Sequence, residues 1–124
     1  MEMRFFRCKH CGQIVAIVKK TGAKLVCCGE EMEEIIPGSV DASLEKHVPV
    51  VEVKGNLVEV TVGSTLHPMI PEHFIEWIAI QTKFGNQRKK LNPNDEPKAV
   101  FALVDGDEVE VCYAYCNLHG LWRN

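Results

Sequence analysis

The sequence lacks the features that would assign it to several large classes of protein. It has no excess of basic residues, since its net charge is -3 and its pI is about 5.9, whereas proteins that bind nucleic acid usually carry a basic surface. Its apolar runs fall short of the roughly 20 residues that a membrane-spanning helix needs, and Met1–Arg4 lacks the hydrophobic region of a signal peptide. We therefore expect a cytoplasmic protein that binds neither nucleic acid nor a membrane.

Helical periodicity, internal repeats and low-complexity tracts are also absent. After Gly38 the chain instead shows short runs of β-branched and aromatic residues separated by turn residues, which is the pattern of an antiparallel sandwich, predicted here to be immunoglobulin-like. The predicted strands are 48–53, 57–62, 74–82, 99–104 and 109–113. We expect the last two to pair with each other across the turn 105–107, and we interpret the polar stretch 85–97 as a surface loop.

The first cluster of cysteines predicts a metal site. Disulfides are rare in cytosolic proteins, and Cys8-x2-Cys11 with the adjacent pair Cys27-Cys28 suits four thiolates around one ion. A unit this small buries little apolar surface, so a bound metal would supply the stability it lacks. Zinc and iron both accept four sulfurs, so the donors alone leave the ion open. We place this domain at residues 1–36 and interpret His10 as a solvated loop residue.

A second set of donors lies at predicted strand ends and loops of the domain 37–124. These residues are His47, His67, His73, Cys116 and His119. A rigid β scaffold can direct such side chains to one point. Five donors exceed a closed tetrahedral zinc site and indicate a square-pyramidal iron with its sixth position open. Cys112 is interpreted as a buried structural thiol.

Two charged residues precede the first of these histidines. Glu45 and Lys46 stand immediately before His47, so either side chain could reach the open face of the metal. A lysine there would offer positive charge and a hydrogen bond to a small oxygen anion.

Two other interpretations use the same residues. Cys116-x2-His119 is similar to part of a copper site in an electron carrier, but no methionine follows His119 and four histidines are too many. The chain could also be a zinc-ribbon module whose β domain binds a partner. Metal analysis and an absorption spectrum separate these alternatives from an iron enzyme.

Together the motifs resemble desulfoferrodoxin, the two-iron form of superoxide reductase. The motifs are Cys8-x2-Cys11 with Cys27-Cys28, Glu45-Lys46-His47-Val48-Pro49, His67-Pro68-Met69 through His73, and Cys116-Asn117-Leu118-His119-Gly120-Leu121-Trp122. They cover the whole chain in the order of the family. The resemblance implies a desulforedoxin-like domain with an Fe(Cys)4 centre, followed by a neelaredoxin-like domain with the four histidines equatorial and Cys116 axial to a second iron.

The resemblance also implies an activity. The expected reaction is the one-electron reduction of superoxide to hydrogen peroxide at a ferrous centre with four histidine ligands and one cysteine ligand, with electrons from rubredoxin or a similar donor. Lys46 would attract the anion and help to deliver a proton, and Glu45 would occupy the sixth position of the oxidised iron and assist product release. The family further implies a homodimer. It assigns no function to Cys112.

Overall fold

A computed structural model of the chain describes residues 2–124. The chain forms two compact units, of which the first ends at Ile36 and the second spans Pro37–Asn124. Nearly all of the regular structure is β, which confirms the predicted fold class. Within residues 2–124, no helix combines the length and the apolar character needed to cross a membrane.

The first unit contains five short strands. They are β1 (Phe5–Arg7), β2 (Ile14–Ala16), β3 (Val26–Cys27), β4 (Glu30–Glu31) and β5 (Glu33–Glu34). Strand β1 lies between β2 and β5, and β3 pairs with β4, all antiparallel. The buried hydrophobic residues here are few, and one cluster of them consists of Phe6, Cys8 and Met32, so one of the predicted metal ligands is itself a core residue.

The second unit is a sandwich of two antiparallel sheets. Its elements are α1 (Leu44–His47), β6 (Pro49–Lys54), β7 (Leu57–Val62), β8 (Ile75–Thr82), β9 (Gly85–Lys90), β10 (Lys98–Ala102), β11 (Val109–Cys116) and β12 (Gly120–Arg123). One sheet has the order β10-β7-β6 and the other β12-β11-β8-β9. This three-on-four arrangement is the predicted immunoglobulin-like topology.

Alternation along the strands creates the core of the sandwich. Val58, Val60 and Val62 of β7 are fully buried and pack in one cluster with apolar residues of β8, β10 and β11. Glu59 and Thr61 on the same strand are only partly buried. The period of two therefore places one face of β7 against the opposite sheet, as the sequence predicts.

Two predicted details are wrong, and one short element left no signal in the sequence. Residues 85–90 form the strand β9 and not a loop, because an edge strand pairs through its backbone and needs no apolar face. Strand β10 pairs with β7 and not with β11, since the connection after Ala102 crosses from one sheet to the other. The helix α1 is a single turn, which is too short to leave a periodic pattern.

The strand directions gather one group of chain segments at one end of the sandwich. Pro49 at the start of β6 pairs with Val62 at the end of β7. Ile75 at the start of β8 pairs with Cys116 at the end of β11. All of the histidines and the cysteine of the predicted second site lie within a few residues of these four strand ends.

Candidate metal centres

The four cysteines of the first unit converge on one point. Their sulfur atoms lie within 4.8 Å of one another, with Sγ–Sγ distances of 3.7 Å between Cys11 and Cys27 and 3.9 Å between Cys27 and Cys28. A tetrahedron of sulfurs about 2.3 Å from a central metal ion has edges of about 3.8 Å. The sulfur positions therefore fit a four-thiolate centre.

Local backbone conformation makes this geometry possible. Cys28 has a φ of 53° and Gly29 a φ of 75°, so the chain turns through the left-handed region directly after Cys27. Two successive cysteines would point to opposite sides of an extended strand, whereas this turn brings both sulfurs to one side. Gly12, with a φ of 81°, closes the other knuckle and donates its N–H to the carbonyl of Cys8 at 2.9 Å.

The thiols of this cluster affect each other strongly. Backbone hydrogen bonds from Cys11 and His10 lower the pKa of Cys8 to about 6. Hydrogen bonding with the side chains of Cys11 and Cys8 raises the pKa of Cys27 to about 12, and the pKa of Cys28 is raised by the same two side chains. Thiolates this close repel one another unless a cation lies between them. The cluster is thus suited to a metal ion.

An exposed ion-pair group joins the two cysteine segments. Glu30 contacts His10 at 2.9 Å and Lys9 at 2.8 Å through its two carboxylate oxygens. His10 is therefore an exposed loop residue that binds a carboxylate, and its side chain does not join the four sulfurs.

The four histidines of the second unit form a square of imidazole rings. Neighbouring ring centroids are separated by 4.8 Å (His47 to His67), 4.6 Å (His67 to His73), 5.1 Å (His73 to His119) and 4.9 Å (His119 to His47). The diagonal from His47 to His73 is longer, at 6.5 Å. Neighbouring rings meet edge to face, so each ring can direct one nitrogen toward the centre of the square.

The cysteine completes this set. The ligand atoms of Cys116, His47, His67 and His73 lie within 4.8 Å of one another. His119 joins them through Nδ1, which lies 3.1 Å from Nε2 of His47 and 3.9 Å from Sγ of Cys116. The structure thus brings together all five donors that the sequence predicts for the second site.

Hydrogen bonds fix which nitrogen of two rings faces the centre. Nδ1 of His47 donates to the carbonyl of Ser43 at 2.6 Å, and Nδ1 of His67 donates to the carbonyl of Pro68 at 2.7 Å. Because a carbonyl only accepts, both Nδ1 atoms carry the proton, and each Nε2 presents a lone pair. Nε2 of His67 and Nε2 of His73 are buried without a hydrogen-bond partner. A metal ion at the centre would satisfy both atoms, so these residues fit a bound iron.

Burial favours the neutral form of three of the imidazoles. It lowers the pKa of His67 to about 4 and also lowers the pKa values of His47 and His73. Neutral imidazole is the form that binds metal. Burial raises the pKa of the Cys116 thiol, while backbone hydrogen bonds from Leu118 and His119 oppose that rise. Those two N–H groups will stabilise the thiolate once a cation is present.

Exposure differs between the two sides of the square. His47 is 2% exposed and His67 is 3% exposed, whereas His73 and His119 are only partly buried. Protein therefore covers one edge of the square more completely than the opposite edge.

Two residues outside the ligand set hold the ligand loops in place. The side chain of Asn117 accepts a hydrogen bond from the Phe74 N–H at 3.0 Å and donates one to the Glu72 carbonyl at 3.0 Å, so it bridges both neighbours of His73. Trp122 packs against the ring of His47 and donates Nε1–H to the carbonyl of His119 at 3.0 Å. Sequence reasoning missed both roles; the polar Asn117 inside the Cys116-x2-His119 motif was the available signal.

The predicted charged pair lies on α1. Glu45 and Lys46 are both exposed. Lys46 directly precedes the ligand His47 on the same helical turn, and its charge contributes to lowering the pKa values of His47 and His73. Nothing comparable connects the carboxylate of Glu45 with the described ligands.

Cys112 belongs to neither group of ligands. It is fully buried in the core of the sandwich, and burial raises its pKa to about 12. A protonated, inaccessible thiol is consistent with a packing role.

Comparison with known proteins agrees with the presence of these two centres. Residues 39–124 match the family model described as Desulfoferrodoxin, and residues 1–35 match the model described as Desulfoferrodoxin, N-terminal domain. The chain belongs to the desulfoferrodoxin family. Within the family, it is 46% identical over 122 residues to a desulfoferrodoxin homolog of Archaeoglobus fulgidus, covering 98% of this chain and 96% of the relative.

Two further members extend the comparison. The chain is 44% identical over 122 residues to a desulfoferrodoxin of Nitratidesulfovibrio vulgaris, covering 98% of this chain and 95% of that one. The crystal structure of the superoxide reductase from Treponema pallidum matches with a TM-score of 0.85 and 40% identity, covering 100% of this chain and 99% of the other. The group of four cysteines and the group of four histidines with one cysteine correspond to the two iron sites expected for this family.

Proposed function

We propose that the chain reduces superoxide to hydrogen peroxide by one electron and two protons, at an iron held by the square of four histidines and Cys116. The observation that carries this proposal is a buried array of four imidazoles and one thiolate that no carboxylate or further cysteine or histidine of the described residues joins, so that the side of the square opposite Cys116 is the open side. When bound there, iron supplies the single electron, and the neutral imidazoles leave a positively charged centre that attracts an anion.

The residues of the chain have separate tasks in this scheme. The rings of His47 and His67, which are oriented by carbonyls, form the more deeply buried edge of the square. The exposed ammonium of Lys46 attracts superoxide to the open side and helps to deliver a proton. Glu45, exposed on the same turn, competes with the peroxide product for the open side and so assists its release.

The first unit serves as an electron-transfer centre in this proposal. We assign a desulforedoxin-like Fe(Cys)4 domain to residues 1–36 and the catalytic domain to residues 37–124, a division supported by the separate family-model matches to residues 1–35 and 39–124. Rubredoxin or a similar redox protein would supply the electrons, and the protein would detoxify superoxide in the cytoplasm as a homodimer. Family membership supports these assignments.

Replacing Lys46 tests the catalytic part directly. We expect Lys46→Ala to lower the second-order rate constant for superoxide about tenfold at low ionic strength, because the loss of one charge beside the site removes electrostatic attraction. Pulse radiolysis of the reduced protein measures this rate constant. Lys83→Ala removes the same charge from an exposed position at the far end of β8 and should change the rate constant less than about twofold.

The products distinguish reduction from dismutation. A reductase forms one hydrogen peroxide per superoxide consumed, releases no oxygen and stops when the electron donor is exhausted. Catalytic release of oxygen without a donor, at a rate above that of spontaneous dismutation, would contradict the proposal. An unchanged rate constant in Lys46→Ala would contradict the role proposed for that lysine.

A further inference from the structure

The turn after β7 holds the segment that carries Glu45 and Lys46. The N–H of Thr65 donates to the carbonyl of Glu45 at 3.0 Å, and the hydroxyl of Ser64 donates to the same oxygen at 3.3 Å. Residues 63–65 thus bind the backbone of α1 directly at the position before Lys46.

Gly63 allows this approach because it has no side chain. A Cβ atom at position 63 would lie 2.5 Å from the carbonyl oxygen of Glu45, 3.0 Å from the carbonyl carbon of Lys46 and 3.1 Å from the carbonyl oxygen of Val48. Cβ atoms do not approach other heavy atoms to 2.5 Å. Because all three neighbours are backbone atoms, no side-chain rotation relieves the overlap, and the peptide of Glu45 and Lys46 itself has to move.

Apart from this turn, the main anchor of the segment is the ligand His47, whose ring packs against Trp122 and donates to the Ser43 carbonyl. The helix α1 is four residues long, and its N-cap Ser43 forms no side-chain capping bond. Within residues 2–124, the side chains of Glu45 and Lys46 form no hydrogen bond or ion pair. The location of the Lys46 ammonium therefore depends on where the backbone of α1 lies.

We propose that Gly63 is a positioning residue for the reaction with superoxide: its missing side chain lets the 63–65 turn hold the Glu45–Lys46 peptide so that the lysine lies beside the open side of the metal site. This inference rests on the proposed function. It adds a residue that is neither a ligand nor in contact with the substrate.

A double-mutant cycle between positions 63 and 46 tests the positioning role of Gly63. We expect Gly63→Ala to lower the rate constant for superoxide about tenfold, by displacing the charge that attracts the anion. In a Lys46→Ala background the same change should lower the rate constant less than about twofold, because the group it displaces is already gone. The control is Gly22→Ala, since a Cβ at Gly22 meets no heavy atom within 4 Å.

Amide hydrogen exchange gives a second readout that does not need bound iron. The Thr65 N–H bonds to the Glu45 carbonyl, so its exchange in the metal-free protein should be at least about tenfold faster in Gly63→Ala than in the unchanged chain. Exchange of the Ile78 amide, in the core of β8, should stay the same.

A gentler variant covers the case in which Gly63→Ala fails to fold or to retain iron. Ser64→Ala removes only the hydroxyl contact with Glu45, and we expect roughly a two- to threefold loss of rate that disappears when Lys46 is alanine. Wild-type rates in both turn variants, or equal losses with and without Lys46, would overturn the inference. The effect of Lys46→Ala alone tests the proposed function separately, so the two failures are distinguishable.

Discussion

The two metal centres of this chain relate differently to the units that hold them. In the first unit the ligands Cys8 and Cys27 are part of or pack against a cluster of only three buried residues, one of which is Cys8 itself. In the second unit the ligands lie at the end of a sandwich whose main core contains thirteen buried residues. The comparison teaches that the first metal would complete a fold, whereas the second would occupy a site that the fold has already formed.

The protonation of the donor groups differs between the two sites in a related way. In the first unit, backbone hydrogen bonds lower the pKa of Cys8, whereas the side chains of Cys11 and Cys8 raise the pKa of Cys27. In the second unit, burial favours the neutral form of three of the imidazoles, and the carbonyls of Ser43 and Pro68 orient two of them. The first arrangement needs a cation to be stable, while the second can exist without one.

Removal of both metals should produce the largest difference between the units. We expect the first unit to lose its structure in the metal-free, reduced chain, because a structural tetrahedral metal contributes about 10 kcal/mol or more to folds of this size. The sandwich should retain its fold. Hydrogen exchange resolved along the chain measures both responses, with the Met32 amide exposed and the Val60 amide protected.

Single-ligand variants sharpen this prediction. Cys27→Ser should unfold the first unit and leave the second metal bound, whereas Cys116→Ser should release the second metal with the sandwich intact. Cys112→Ala serves as the control, since this thiol belongs to neither group of ligands. A first unit that stays protected without metal would contradict the comparison.

Acid should destabilise the metal-free sandwich by less than the removal of metal destabilises the first unit. His67 is buried with a pKa of about 4, against an ordinary value of 6.5, so between these two pH values the unfolded chain binds a proton that the folded chain does not. Its contribution to stability is therefore present above pH 6.5 and is lost as the pH falls toward 4. At about 1.4 kcal/mol per pKa unit, the loss is about 3 kcal/mol.

Urea denaturation of the metal-free chain at several pH values measures this slope. In His67→Gln, which has no ionisable group at this position, the slope between pH 6.5 and 4 should become flatter. A slope that is unchanged in this variant would show that His67 is not the group responsible.

The sequence predicts the donors of both sites better than it predicts the elements around them. Cysteine spacing and the placement of histidines near β-rich runs depend on few residues, and the structure brings both donor sets together. The strand β9 was missed because Gly85–Lys90 is polar on both faces and pairs through its backbone. The pairing of β10 with β7 was missed because adjacency in sequence favours a hairpin, whereas burial of Ala99 and Phe101 against the opposite sheet decides the topology.

The supporting contacts of the second site could not be predicted at all. The close approach at Gly63 depends on the path of a distant backbone segment, at Glu45 and Lys46, which no local pattern records. The bridge made by Asn117 likewise requires the register of β8 with β11, since it joins residues that are 43 and 45 positions apart in the chain.

The smallest effect is expected when the Asn117 bridge is removed, a change that tests how firmly the second unit alone positions its metal ligands. Asn117→Ala removes both hydrogen bonds to the neighbours of His73, so this ligand loses its fixed position. We expect the second metal to bind roughly 10- to 100-fold more weakly, as is typical when an outer contact of a ligand is lost, while the first metal is unaffected. Competition with a chelator, followed through the absorption bands of each centre, measures both affinities.

Asn117→Asp and Asn86→Ala are the matched controls for this change. The aspartate keeps an acceptor for the Phe74 N–H and loses only the donor to Glu72, so its effect should lie between those of the asparagine and the alanine. Asn86 is exposed on β9 and its replacement should leave both affinities unchanged. If Asn117→Ala weakened the binding of both metals equally, the change would indicate general destabilisation. If the affinity for the second metal were unchanged, the preformed sandwich would position His73 without this side chain.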